Sequence, residues 1–177
     1  MKSFKNFYIR NNNLVELQNT SFESPLITTN SFLYYNSFTQ TQKDNFKWTA
    51  GGNWLDPQGP VMVNSVTVWG FSNPYPYPYP SSNQCIGLQS SSFIQQSMYL
   101  ASGQHTISLY YHTRSMDNAN SINILMNNTI IGTVGTVAVD SWTFYSQTFT
   151  IPIPGIVIVK LEGASSTTTA VDNIIVV

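Results

Sequence analysis

The stretch Gln104-His-Thr-Ile-Ser-Leu-Tyr-Tyr-His-Thr113 decides the fold. One side of it carries Ile107, Leu109 and Tyr111, the other Thr106, Ser108, Tyr110 and His112. That two-residue period belongs to a strand with one side in a core and one facing out. Downstream the alternation recurs. Ile122, Ile124 and Met126 share a side, and Asn127-Asn128 then suits a tight turn into residues 129–134, which predicts a hairpin. Trp142–Ile151, Ile156–Glu162 and Ala170–Val177 read as further strands, and upstream so do Val61–Gly70, Gln84–Gln89 and Ser92–Leu100. Residues 11–60 give shorter, irregular extended pieces. Pro, Gly, Asn and β-branched residues recur too often for a sustained helical stripe. About ten short strands with turn signals between them predict an all-β fold, an antiparallel β-sandwich or jelly roll.

At 177 residues the chain suits one domain, read as an N-terminal extension over 1–13 and a single sandwich over 14–177. Its charge is unusual: only 8% of residues are charged, against about 25% in typical domains. With 42% hydrophobic residues it is still too apolar for a disordered chain. Asn, Gln, Ser and Thr make up 67 of the 177 residues, so the surface is built from amides and hydroxyls, which suit sugars and other polar chains. A net charge of -1 with no basic block argues against nucleic acid as a partner. No apolar run approaches the roughly 20 residues of a membrane span, and no leader of signal-peptide length is expected in the first residues. Cys85 is the single cysteine, which excludes an intrachain disulfide and a thiolate-rich metal site.

The run Asn73-Pro-Tyr-Pro-Tyr-Pro-Tyr-Pro80 is low in complexity. Alternate prolines fix φ and remove donors, so an extended polyproline-type loop is expected there, with at least one of Tyr75, Tyr77 and Tyr79 exposed. It serves either as a stiff connector over a sheet edge or as a ligand or partner contact.

Catalysis finds little support. Cys85 sits in an alternating strand with no local motif, and no nucleophile elbow is present. His105 and His112 lie seven apart on one strand and point to opposite faces, so they cannot share a metal. The eight carboxylates show no spacing that singles out a glycosidase pair. Nor do Gly51-Gly52 and the GTVGTV at 132–137 complete a nucleotide fingerprint. No catalytic residue is assigned, and the chain is expected not to be an enzyme.

The informative constellation joins the two ends. Asn19-Thr-Ser-Phe-Glu-Ser-Pro25 stands near the start and Thr169-Ala-Val-Asp-Asn-Ile-Ile-Val-Val177 closes the chain. With Trp48-Thr49, Ile86 to Gln89, Ile94-Gln95-Gln96, Leu100 to Leu109, Asn127 to Gly132, Trp142 to Phe149 and Leu161-Glu-Gly163 between them, the order resembles the jelly-roll carbohydrate-binding modules of the galactose-binding-like superfamily. The resemblance covers residues 14–177. It implies a structural Ca²⁺ held by Glu23 and Asp172 with nearby carbonyls, clamping both ends of the chain. The other reading has Glu23 capping a loop and Asp172 accepting backbone hydrogen bonds.

Sugar contacts are argued from local chemistry, since a sugar needs an aromatic platform and planar polar groups. Tyr110, His112 and Arg114 form the first candidate face, with Gln95 or Asn123 added by a neighbouring strand. Arg114 has a competing role, bonding a loop carbonyl or Asp117. Trp54, beside Gly51-Gly52, and Tyr77 of the Pro-Tyr run form a second candidate surface. Trp48 is expected in the core, and Trp142 and Phe144 are expected to pack inside. The leading expectation is therefore a non-catalytic, lectin-like, calcium-stabilised module that binds a glycan. Its rival is a structural protein of a virion or surface layer, using the jelly roll as scaffold for homo-oligomer or particle assembly.

Overall fold

The computed structural model describes residues 16–52, 58–64, 84–114, 121–136, 141–164 and 167–177. Eleven strands appear among them: β1 Ser31–Tyr34, β2 Thr49–Gly51, β3 Val61–Asn64, β4 Gln84–Gln89, β5 Phe93–Leu100, β6 Gly103–Thr113, β7 Ile122–Met126, β8 Thr129–Val134, β9 Thr143–Ile151, β10 Gly155–Gly163 and β11 Thr168–Val176. They form two antiparallel sheets. One has the order β1-β3-β4-β11-β6-β9, the other β2-β5-β10-β7-β8. The fold is the all-β sandwich that the period-2 pattern predicts.

Alternation explains which residues meet between the sheets. Ile107 and Leu109 of β6, Ile86 and Leu88 of β4 and Val171 of β11 point inward from one sheet. Ile94 of β5, Ile122 and Ile124 of β7, and Val159 and Leu161 of β10 point inward from the other. Each such side chain is worth roughly 1.5–3 kcal/mol when fully buried. Trp48 lies in this core, as expected, and its Nε1 donates to Asn19 O at 3.2 Å.

The turns follow local chemistry. Asn127 and Asn128 both adopt positive φ, 49° and 65°, as the hairpin between β7 and β8 requires. Asn127 also latches the hairpin to β10, its Oδ1 accepting from Ile158 N at 2.9 Å. Residues 31–52 depart from the irregular extended pieces expected there, because helix α1 spans Gln40–Phe46. A capping box starts it: Gln42 N donates to Thr39 Oγ1 at 3.2 Å and Thr39 N donates to Gln42 Oε1 at 2.8 Å. Only Phe46 of the helix is buried, so no apolar stripe marks it in the sequence.

No helix among the described residues is long and apolar enough to cross a membrane.

Candidate functional site

Among the described residues, three surfaces carry those singled out by the sequence: the corner where the Asn19–Ile27 loop meets β11, and the outer face of each sheet.

At the corner, the loop from Asn19 to Ile27 is held by two amides. Asn19 Oδ1 accepts from Ser24 N at 3.0 Å, while its Nδ2 donates to Ser24 O and, at 2.9 Å, to Phe46 O. Gln84, at the start of β4 and fully buried, uses both ends of its amide. Its Nε2 donates to Phe22 O at 2.9 Å and Pro25 O at 3.1 Å, and its Oε1 accepts from Ile27 N at 2.7 Å and Asn64 Nδ2 at 3.3 Å. The backbone of Gln84 in turn donates to Glu23 Oε1 at 3.1 Å. On the other side of β4 runs β11, with Val171 opposite Ile86, so Asp172 continues towards the same end of the sheet. A β-bulge interrupts β11 between Asp172 and Ile175, and the freed Ile174 N donates to Thr20 O at 3.1 Å. Asp172 is 2% exposed, and its Oδ1 accepts from Asn173 N at 2.7 Å. Glu23 and Asp172 thus each hold a backbone N–H at this end of the sheet, Glu23 that of Gln84 and Asp172 that of Asn173, as the loop-capping reading expects. No group of three or more His, Cys, Asp and Glu side chains assembles among the described residues.

The outer face of the six-stranded sheet can be read row by row from its register. One row runs Tyr34, Val61, Gly87, Ala170, His112. In the next, Phe32 faces Val63 and Val63 faces Cys85, while Asp172 faces Tyr110 and Tyr110 faces Phe144. Small and aliphatic residues and the buried Asp172 floor the middle, and aromatic rings stand at both sides. Val61, Val63, Cys85, Trp142 and Ala170 form a second buried cluster here, with Tyr34 and Tyr110 against it. Tyr110 meets Phe144 with ring centroids 5.3 Å apart at 56°. Phe144 is 57% exposed. Beside the ring pair, Ser108 faces Ser146 and Thr106 faces Thr148, which lays uncharged hydroxyls next to an open ring.

This geometry corrects three expectations. His112 is fully buried, its ring 5.7 Å from Trp142 and its Nδ1 2.6 Å from Thr113 O, so it supports the face from below and cannot touch a ligand. Phe144 stays outside, 57% exposed, whereas Trp142 is buried as expected, in the second cluster. Gln95 and Asn123 do not neighbour Tyr110, because β5 and β7 belong to the other sheet. Arg114 follows β6 directly, its backbone N donating to Thr168 O at 3.3 Å. Trp54, Tyr77 and the whole Pro-Tyr run lie outside the described residues. His105 and His112 do point to opposite faces, His105 lying 5.8 Å from Phe149.

On the outer face of the five-stranded sheet, Gln95 pairs with Lys160 and Asn123 with Glu162, and Phe93 also pairs with Glu162. Sequence reasoning missed this cluster. Lys160 Nζ sits 4.7 Å over the Phe93 ring and 2.7 Å from Glu162 Oε1. Gly51 lies under the ring, where a Cβ would come within 3.1 Å of Phe93 Cε1. The ring therefore already has a cation on it, whereas none of the described residues places one on Phe144 across the sandwich.

No family model matches the chain, and no curated protein matches it in sequence. Solved structures match its fold. A family 61 carbohydrate-binding module, solved in complex with β-1,4-galactotriose, superposes with a TM-score of 0.51 over 92% of this chain and 97% of that one, at 14% identity. The family 22 xylan-binding domain from Paenibacillus barcinonensis gives 0.51 over 84% and 93%, at 10% identity. The chain thus has the fold of jelly-roll carbohydrate-binding modules, as the resemblance of its two ends implied.

Proposed function

We propose that the protein is a non-catalytic carbohydrate-binding module that takes its glycan on the Tyr110–Phe144 face of the six-stranded sheet. The open ring pair beside rows of Ser and Thr hydroxyls is the observation that carries this reading. Phe144 offers an apolar platform for a sugar ring, and the hydroxyls of Ser108 and its neighbours supply hydrogen bonds without charge. Tyr110 packs against the second cluster, which includes Trp142. The fold likeness to modules solved with galactotriose or named for xylan supports the reading at the level of class.

A structural Ca²⁺ at the corner of Glu23 and Asp172 is part of the same proposal. Carboxylates are the donors a hard cation takes, and Glu23 and Asp172 would hold it together with carbonyl and water oxygens. Bound there, the ion would neutralise both carboxylates and tie the Asn19–Ile27 loop to β11.

The test is a glycan array probed with the purified chain, followed by titration of the best ligand. Phe144→Ala should weaken binding tenfold or more with little change in melting, since the ring is mostly exposed. Tyr110→Ala should weaken binding equally and also lower the melting temperature, because Tyr110 covers the second cluster. Retained binding in Phe144→Ala would move the site elsewhere, and silence across the array would end the carbohydrate reading.

A further inference from the structure

The six-stranded sheet ends in an unusual edge. A row of unpaired backbone groups invites another strand, and folded proteins blunt such edges with brevity, charge, proline or bulges. Among the described residues, three of the four sheet edges follow this rule. β1 has four residues and β2 three. β8 lies opposite a register shift between Ile124 and Leu125. The fourth, β9, runs nine residues, Thr-Phe-Tyr-Ser-Gln-Thr-Phe-Thr-Ile, with no charged residue and no proline. Its register with β6 is unbroken from Gly103–Ile151 to Tyr111–Thr143. Phe144, Ser146, Thr148 and Thr150 are all exposed along its outer side.

The order of these residues identifies the occupant. Around Gln147 the strand is chemically symmetric over two positions, with Ser146 and Thr148, then Tyr145 and Phe149, equidistant on either side, and Phe144 and Thr150 end the match. We infer that β9 pairs antiparallel with β9 of a second copy of this chain, about a twofold axis at Gln147. In that register Ser146 faces Thr148 of the second copy, and Tyr145 faces Phe149 of the second copy. Hydroxyl against hydroxyl is a favoured cross-strand pair and occurs twice, as an isologous interface demands, while Tyr145 and Phe149 keep to the core of their own copy. A heterologous partner would have no need of this symmetry. The inference does not need the glycan reading; because Ser146 and Thr148 also lie among the hydroxyls beside Phe144, it is read by sedimentation and not by glycan binding.

Sedimentation velocity of the full chain across a dilution series reads it directly. The wild type should approach twice the 19.8 kDa of one chain. A Ser146→Lys, Thr148→Lys double variant sets lysine against lysine at both symmetric pairs and should dissociate at least tenfold more readily. A Ser146→Lys, Thr148→Glu variant sets lysine against glutamate at the same pairs and should stay dimeric. Both carry the same burden of exposed substitutions, and thermal melting confirms that each is folded. A monomeric wild type, a Lys/Lys variant that stays dimeric, or a Lys/Glu variant that is monomeric would each overturn the inference.

Discussion

Gln84→Met removes a buried amide while nearly preserving side-chain length, and so isolates hydrogen bonding from cavity formation. Four bonds are lost: two from Nε2 to Phe22 O and Pro25 O, and two at Oε1 from Ile27 N and Asn64 Nδ2. Asn64 keeps its own bond to Ile27 O at 2.9 Å, which softens the loss at that end. The bond to Asn64 is also the longest. At about 1 kcal/mol net for each of the other three, the loss is about 3 kcal/mol, and leaving Ile27 N buried without its acceptor adds to it. For a chain of this size that corresponds to a fall in Tm of roughly 6–12 °C. Urea denaturation followed by tryptophan fluorescence measures the change in stability. Hydrogen exchange at Ile27 locates it. A loss below about 1 kcal/mol, with Ile27 still protected, would refute the claim that this one amide holds the loop. Gln84→Glu sharpens the same point, because a carboxylate would turn acceptor oxygens towards the Phe22 and Pro25 carbonyls. It should be worse than Met at neutral pH and partly recover in acid, where the protonated group donates once.

Two further predictions follow from the same geometry. If the corner holds calcium, EDTA should lower the stability by an amount set by mass action, about 2.7 kcal/mol for an ion at 100 times its Kd, and the Tm falls with it; Glu23→Gln or Asp172→Asn should abolish that sensitivity, and a melting curve indifferent to chelator in the wild type removes the ion. At Gly132 a Cβ would lie 2.2 Å from Tyr145 Oη but 3.2 Å from Cζ. Gly132→Ala should therefore cost about 1–3 kcal/mol by overpacking, and Tyr145→Phe in the same chain should return much of it. Additive losses in that double-mutant cycle would show that the hydroxyl is not the obstacle.

The strands were legible because alternation is a local signal, visible in β6, β7 and β9 without knowledge of their neighbours. The same alternation in β9 puts Phe144 with Ser146 and Thr148 on its more polar side, so its exposure could have been read from the sequence. Sheet membership could not. Gln95, Asn123 and Tyr110 all sit on outward positions of their strands, but only the strand order, set by long-range pairing, divides them between two faces. His112 shows a similar limit: an outward position on a strand is buried when Trp142 closes over it. Helix α1 carried only its capping box, too short a signal beside one buried residue. Gln84 carried none, since a buried glutamine acquires meaning from the loop it meets, 57 to 62 residues away in the chain.

The position of β11 also bears on how the chain is made. The last strand in sequence lies in the middle of the six-stranded sheet, with β4 on one side and β6 on the other. During synthesis, β1, β3 and β4 can associate, and so can β6 and β9, but the two halves have no shared edge until residues 168–176 leave the ribosome. Until then both halves expose inner edges that are later buried. The Asn19–Ile27 loop likewise meets β11 only at that step. Folding of this sandwich is therefore completed after translation of the domain rather than during it, and a chain stopped before Thr168 would present two open edges to chaperones and to other nascent copies.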